Sequence, residues 1–194
     1  MNTTVPTEKP KFPLADAQAI AAELISHLGD FAERIEIAGS IRRKKAQVGD
    51  IEILYIPTIG EQNSGDLLGT LESVNYFDLA LGTLEEAGIL ERRLNIKGSE
   101  TYGEQNKLMR HVRSGIPIDF FATTEANWFN YLVCRTGGLE NNKAIATAAL
   151  KRGLQWKSTG PGFAKKDGGI IAVQAESQVF TFVGLPYLPP EERS

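Results

Sequence analysis

The chain has 194 residues, enough for one domain with a sizeable core or two small lobes, and too few for a large multidomain assembly. Its 42% hydrophobic and 23% charged residues exclude an intrinsically disordered protein. The net charge of −3 excludes a protein that holds nucleic acid through bulk positive charge, and the single cysteine, Cys134, excludes an internal disulfide framework.

Hydrophobic spacing in the first part of the chain predicts a mixture of helices and strands. Leu14, Ile20, Leu24 and Leu28 recur at helical spacing and are followed by Gly29, which predicts where that helix ends. The predicted elements that follow are a strand over 35–37, a basic loop over 42–45, a strand over 51–56, a loop over 60–65, a mostly helical stretch over 67–87, and a hairpin of strands 107–113 and 116–121.

The composition changes after Asn127, and we place a boundary between two lobes near residue 125. A helix over 140–152 ends at Gly153, short strands and turns fill 154–173, and a last helix covers 176–183. Residues 1–125 hold 13 basic and 19 acidic residues, whereas residues 126–194 hold 8 and 5. The sequence therefore predicts an acidic lobe over 1–125 and a mildly basic lobe over 126–194.

Two acidic side chains share one face of the predicted strand 51–56. Asp50 and Glu52 are two residues apart, so they point to the same side while Ile51 and Ile53 face the core. Adjacent carboxylates repel each other unless a cation neutralises them, and oxygen ligands suit Mg²⁺. Asp119 is a third acid within an apolar strand, and a neighbouring strand that carries the first two would give it the same cation.

A phosphate-binding turn precedes these acids. Gly39 allows a ligand to approach the backbone closely, Ser40 offers a hydroxyl and an amide, and Arg42 or Arg43 can bind phosphate oxygens with two hydrogen bonds. Each motif alone is more often a solvated surface. Their fixed order favours a nucleoside triphosphate held at the turn and metal ions held by the carboxylates.

This order of residues resembles the nucleotidyltransferase superfamily, and its spacing is similar to that of family X DNA polymerases. The family's triphosphate and metal site matches Gly39, Ser40, Arg43, Gly49, Asp50 and Glu52, and its third metal-binding aspartate matches Asp119. Its sugar-contacting and base-contacting segment matches Cys134, Arg135, Thr136, Gly137, Asn142 and Lys143. The segment 183–193 also resembles the end of the family's C-terminal lobe, so the likeness covers about residues 14–194.

The resemblance implies an α+β fold, with a nucleotidyltransferase palm over 1–125 and a smaller mixed C-terminal lobe over 126–194. Three departures from the family pattern concern the site itself: Glu52 replaces an aspartate, Cys134 and Arg135 replace a Tyr-Phe pair, and Ala146 replaces a template-facing arginine. Sugar selectivity and template dependence therefore stay open. The family's lyase domain has no counterpart here, so no deoxyribose-phosphate lyase activity is expected.

The resemblance predicts a DNA-directed DNA polymerase that adds dNMP from dNTP to a primer 3′-OH on primer-template or gapped DNA, with short-gap repair as its task. Asp50, Glu52 and Asp119 would bind Mg²⁺ or Mn²⁺; Gly39, Ser40, Arg43, Gly49, Thr136, Gly137 and Asn142 would contact the nucleotide. The alternatives are a template-independent nucleotidyltransferase acting on RNA, a protein or a small molecule, and a degenerate nucleic-acid-binding module. Three retained acids argue against the last.

We also expect a monomer in the cytoplasm. The N-terminal segment is polar and has no secretory signal pattern, and no apolar run approaches the roughly 20 residues of a membrane span.

Overall fold

A computed structural model of the chain describes residues 10–65 and 70–194. In these residues helices and strands alternate irregularly, and the α+β class predicted from the sequence is confirmed. The helices are α1 (Leu14–Leu28), α2 (Gly39–Arg42), α3 (Tyr76–Glu86), α4 (Trp128–Thr136), α5 (Leu139–Lys151) and α6 (Glu176–Phe182). The strands are β1 (Phe12–Pro13), β2 (Ala32–Ile37), β3 (Gln47–Val48), β4 (Ile51–Pro57), β5 (Ile59–Asn63), β6 (Leu71–Asn75), β7 (Leu90–Arg92), β8 (Asn106–His111), β9 (Pro117–Ala122), β10 (Gln155–Lys157), β11 (Gly162–Ala164) and β12 (Ile170–Ala172).

A five-stranded sheet in the order β2-β4-β9-β8-β7 organises the first part of the chain. Its central pair, β4 and β9, runs parallel, and the other neighbours are antiparallel. On one face, Ile51, Ile53 and Phe120 are fully buried in the core that the sheet forms with α1 and α3. Because side chains alternate along a strand, the residues between them point to the other face.

Helix α4 covers one end of that second face. Trp128, Tyr131 and Leu132 pack there against Leu54 of β4 and Phe121 of β9 in a separate buried cluster. Glu52 and Asp119 each lie two residues before those covered positions, on the same face. The packing of α4 therefore confines the acidic pair to one end of the sheet.

Another core lies farther along the chain, where α4, α5 and α6 pack with the three-stranded sheet β10-β11-β12. Val133, Ile145, Phe163 and Phe180 are buried in it. The cluster beneath α4 joins this core to the large sheet. The division of the chain near residue 125 stays a prediction.

Most predicted elements match the structure. Helix α1 has the predicted bounds, and β2, β4, the β8–β9 hairpin, α5, the short strands β10 to β12 and α6 lie where they were expected. Gly153 follows α5 with φ 71°, a left-handed conformation that glycine adopts without steric cost. No helix in 10–65 and 70–194 is both long and apolar enough to cross a membrane.

The prediction for residues 60–87 is partly wrong. Residues 59–63 form strand β5 rather than a loop, and β6 pairs with it where a helix was expected. Helix α3 begins only at Tyr76, because the Asn75 side chain accepts a hydrogen bond from the Asp78 amide and caps the helix start. Residues 66–69, at the start of the predicted helical stretch, lie outside the described residues. The basic segment 42–45 also differs, since Arg42 ends the one-turn helix α2.

Candidate active site

Two of the predicted acids lie directly opposite each other. Glu52 on β4 and Asp119 on β9 are register partners in the parallel pair, so their side chains project from the same face of the sheet. Asp50 immediately precedes β4 and lies two residues before Glu52. Its negative charge acts on both of the other carboxylates. The fold thus brings together three acids from two distant segments.

The electrostatic environment of Glu52 is unusual for a carboxylate. Burial, together with the like charges of Asp50 and Asp119, raises the pKa of Glu52 from 4.5 to about 7, although Arg135 and Arg43 oppose the shift. Burial and like charge both disfavour the ionised form. A cation bound between these acids would remove that penalty.

The raised pKa of Glu52 predicts a pH dependence of stability in the metal-free protein. The folded chain keeps this proton to a higher pH than the unfolded chain, so increasing the pH from about 4.5 to 7 should lower the free energy of unfolding by up to about 3 kcal/mol. Glu52→Gln should lack this contribution. Urea unfolding in the presence of a chelator measures the difference, and parallel stability curves for the two proteins over that pH range would contradict the prediction.

Asp119 has a partner that the sequence did not suggest. The Arg93 guanidinium, in the loop after β7, donates a hydrogen bond from Nη2 to Asp119 Oδ1 and forms an ion pair with it. Burial raises the pKa of Asp119, and the hydrogen bond and charge of Arg93 act against that rise. In the described part of the chain, no three His, Cys, Asp or Glu side chains form a ready metal-binding group. The predicted acids share a face, but their side chains are not arranged around a cation.

The Gly39 turn lies against Glu52. Gly39 is buried at the start of α2 with φ 60°, and a Cβ at this position would collide with Glu52 Oε2. The preceding residue, Ala38, donates its backbone N–H to Glu52 O at 2.8 Å. Ser40 Oγ is buried with no hydrogen-bond partner. A buried hydroxyl without a partner is costly, and a phosphate oxygen would satisfy it.

Gly39→Ala tests how closely this turn is fitted to Glu52. The left-handed backbone and the collision should together lower the free energy of unfolding by about 1 to 2 kcal/mol and displace the Glu52 carboxylate. Gly29→Ala is the matched control, because Gly29 has an ordinary φ of −60° and nothing within 4 Å of an added Cβ. Urea unfolding compares the two variants, and equal midpoints would show that the turn tolerates a side chain.

The two arginines after the turn both contact Thr136, at the C-terminal end of α4. Arg42 Nη1 donates to Thr136 Oγ1 at 2.9 Å, and Arg43 Nη1 donates to the Thr136 carbonyl at 2.6 Å. Arg42 also forms two hydrogen bonds with Glu176 of α6. Arg43 therefore makes fewer hydrogen bonds than Arg42: its Nη1 donates to the Thr136 carbonyl, and its buried Nε has no partner.

The turn between α4 and α5 is packed too closely for larger residues. A Cβ on Gly137 would lie 2.4 Å from Oδ1 of Asn142 and from Nδ2 of Asn141. Asn142 Nδ2 donates to the carbonyls of Cys134, at 2.8 Å, and Gly137, at 3.3 Å. The asparagine expected to contact a base thus holds the turn together. Gly49 differs from Gly137, because the nearest atom to an added Cβ there is Lys11 Nζ at 3.7 Å.

By chemical type, though not by their present arrangement, the three carboxylates fit a hard divalent cation. The donors at this end of the sheet are carboxylate oxygens, the like charges destabilise one another, and a guanidinium already acts as the cation beside Asp119. Mg²⁺ and Mn²⁺ are among the cations that carboxylate oxygens bind well. The roles of Asp50, Glu52 and Asp119 as metal ligands, and of the turn residues as nucleotide contacts, stay predictions.

Sequence reasoning missed two residues that surround this site, Arg93 and Glu176, and it named Arg135 without its contact to Phe121 or its effect on Glu52. Arg93 neutralises Asp119, and Glu176 holds Arg42. Arg135 lies with its guanidinium carbon 3.6 Å from the centre of the Phe121 ring, and its charge lowers the pKa of Glu52. For Arg135, the sequence signal was an arginine at a position where the family has an aromatic residue. Arg93 and Glu176 depend on contacts between segments that the sequence pattern does not connect.

Comparisons with known proteins agree with the sequence resemblance. Residues 131–194 match the family described as DNA polymerase beta thumb. The chain is 27% identical to DNA polymerase lambda of Arabidopsis thaliana over 203 aligned positions, covering 96% of this chain and 37% of that protein. It is 26% identical to DNA polymerase lambda of Rattus norvegicus over 166 positions, covering 80% and 28%. The chain spans about a third of the length of these relatives, and the likeness to family X DNA polymerases is confirmed.

Proposed function

We propose that this chain is a DNA polymerase of the family X type, which transfers dNMP from dNTP to a primer 3′-OH and releases pyrophosphate. The observation that carries the proposal is the direct pairing of Glu52 with Asp119, with Asp50 beside them and the Gly39 turn against Glu52. A structural role alone does not account for three carboxylates gathered at a cost in electrostatic energy. The two relatives named DNA polymerase lambda support the same activity.

Each half of the site has a separate role in the proposed reaction. Asp50, Glu52 and Asp119 would hold Mg²⁺ or Mn²⁺, which stabilises negative charge developing on phosphate oxygens. Ser40 Oγ has an unused hydrogen-bonding capacity that a phosphate oxygen can take up. Arg43 would exchange the Thr136 carbonyl for the β- or γ-phosphate, since an arginine binds a charged oxygen more strongly than a neutral carbonyl.

The transfer itself breaks one bond and forms one. The primer 3′-oxygen attacks the α-phosphorus, and the bond from that phosphorus to the oxygen bridging to the β-phosphate breaks, so that pyrophosphate leaves. The 3′-OH proton would pass to the Asp119 carboxylate, acting as general base. Gly137 and Asn142, at the α4–α5 turn, would contact the sugar and base.

Gap filling in DNA repair is the task that we propose for this activity. The region of the polymerase beta thumb match is also the part with more basic than acidic residues, which suits contact with DNA phosphates. The acidic first part of the chain repels DNA, so primer binding should be weak and sensitive to salt. Extension of a gapped duplex with all four dNTPs and Mn²⁺, repeated with all four NTPs, tests both activity and sugar selectivity. No extension in any mixture would contradict the proposal.

A template-independent nucleotidyltransferase that acts on RNA, a protein or a small molecule is the second candidate. The hydrogen bonds of Asn142 favour it, because its Nδ2 already donates to the carbonyls of Cys134 in α4 and of Gly137 in the turn after it, instead of facing a base. Primer extension that ignores the template, or labelling of a protein by radioactive ATP, would support this candidate over a DNA-directed polymerase.

The monomeric state and cytoplasmic location predicted from the sequence stay predictions.

A further inference from the structure

Arg93 and Asp119 lie in one row across the large sheet. The Arg93 backbone N–H donates to the Leu108 carbonyl at 3.1 Å, and Leu108 is the register partner of Asp119, which is the register partner of Glu52. Directly opposed residues in a sheet point to the same face. Arg93 therefore extends past Leu108 to reach Asp119 from the side opposite Glu52. The order of strands in the sheet, rather than a flexible surface contact, therefore places Arg93 beside Asp119.

The ion pair between Arg93 and Asp119 is largely buried, but few other contacts hold the Arg93 guanidinium in place. The Arg93 and Asp119 side chains are 23% and 16% exposed, so solvent does not fully screen their charges. Apart from Asp119, the guanidinium has one long contact, from Nη1 to the Leu94 carbonyl at 3.5 Å, and its Nε is buried without a partner. The guanidinium has five donors and makes one short contact, so moving it away from Asp119 breaks few hydrogen bonds.

A second arginine in the same region shows what firm anchoring looks like. Arg42 makes two hydrogen bonds with the Glu176 carboxylate and a third with Thr136 Oγ1. Removing Arg42 from its place would break all three. Arg42 is therefore held by several hydrogen bonds, whereas the Arg93 guanidinium makes one short contact, with the Asp119 carboxylate.

We propose that Arg93 is a displaceable counter-ion, which holds Asp119 in position until a divalent cation takes its place. This inference rests on the proposed function, because it assigns Asp119 to a cation site. Arg93 is a positioning residue: it competes with the cation and does not touch the nucleotide. Removing its charge should strengthen cation binding, whereas an ordinary structural ion pair would leave cation affinity unchanged or weaken it.

Titration of the chain with Mn²⁺ alone, without DNA or dNTP, tests the competition. Free Mn²⁺ is measured by electron paramagnetic resonance. Arg93→Gln keeps the volume and several donors but removes the charge, and should bind Mn²⁺ roughly tenfold more tightly than the unsubstituted protein, the weight of one nearby charge. Arg93→Lys keeps the charge and should bind within about twofold of the unsubstituted protein. Arg92→Gln is the matched control, because Arg92 pairs with Glu85 and is 43% exposed.

Thermal unfolding with and without saturating Mn²⁺ gives a second readout. Without Mn²⁺, Arg93→Gln should unfold at a lower temperature, because Asp119 has lost its partner. The rise on adding Mn²⁺ should be larger in Arg93→Gln than in the unsubstituted protein, since tighter binding to the folded state stabilises it more. A structural role would lower the melting temperature and leave the Mn²⁺-dependent rise the same.

Asp119→Ala separates failure of this inference from failure of the proposed function. If Mn²⁺ binding depends on Asp119 but Arg93→Gln matches the unsubstituted protein, the counter-ion inference is wrong and the polymerase proposal stands. Equal tightening in the Gln and Lys variants would also overturn it, because charge would not be the cause. If the unsubstituted protein has no Asp119-dependent Mn²⁺ binding, both proposals fail.

Discussion

Asp50→Ala and Asp119→Asn are each expected to lower nucleotide transfer on a gapped duplex roughly a thousandfold, several kcal/mol of transition-state stabilisation. The reason is that each carboxylate contributes to the same charged site, and neither alanine nor asparagine supplies the lost negative charge. Primer extension under single-turnover conditions with Mn²⁺ and dNTPs measures the effect. Asp119→Asn also keeps the shape of the side chain, which limits its structural consequences.

The control for these variants is a carboxylate outside the site. Glu33 is an exposed residue of β2, and Glu33→Ala should extend primers at the rate of the unsubstituted protein. Circular dichroism of each variant establishes that it is folded before its rate is compared. Extension by Asp50→Ala at the unsubstituted rate would remove these carboxylates from the mechanism and leave the proposed function without its main support.

Glu176→Ala is expected to lower the free energy of unfolding by about 3 to 5 kcal/mol, because it removes the shared anion from two sheltered arginines. Glu176 Oε1 lies 2.6 Å from Arg42 Nη2, and Arg193 reaches the other carboxylate oxygen. Arg193 is fully buried and Arg42 is 19% exposed. Burial alone would raise the pKa of Glu176, but the hydrogen bonds from both arginines outweigh it and hold the pKa below its ordinary value.

Urea unfolding at pH 7 measures this loss, and Glu140→Ala provides the comparison. Glu140 pairs with Lys143 in a solvent-exposed contact, so its removal should change stability by less than about 1 kcal/mol. The lowered pKa adds a second expectation: the contribution of Glu176 should be present above its ordinary pKa and be lost as the pH falls through the lowered one. A Glu176→Ala protein as stable as Glu140→Ala would mean that the arginines find other partners.

Elements with a local sequence signal could be predicted, and those that depend on distant partners could not. Helix α1 matches its predicted bounds because its apolar spacing is a local feature, whereas Gly29 keeps a right-handed backbone and continues into a 3-10 turn over Gly29–Phe31. The strand β5 was missed because it exists only through pairing with β6. Helix α4 was not predicted, since it is only nine residues long and its buried positions include the polar residues Asn130 and Thr136 beside apolar ones.

The same distinction applies to the candidate site. The Asp-x-Glu spacing and the Gly-Ser turn are short patterns, so Asp50, Glu52 and Gly39 could be selected from the sequence. The residues that neutralise the charge of these acids or shift their pKa could not be identified from the sequence. Arg93 reaches Asp119 only because β7 and β8 are neighbours, and the order of strands in a sheet is a property of the whole fold.

Parallel strands cannot be joined by a tight turn, and β4 and β9 are separated by the entire segment 58–116. Closing so long a loop costs chain entropy before any contact repays it, which slows folding. During synthesis, Glu52 emerges from the ribosome well before Asp119, so a nascent chain that ends within β8 lacks half of the acidic pair. The acidic pair of Glu52 and Asp119 is thus completed late, after β9 has been inserted beside β4 at the centre of the sheet.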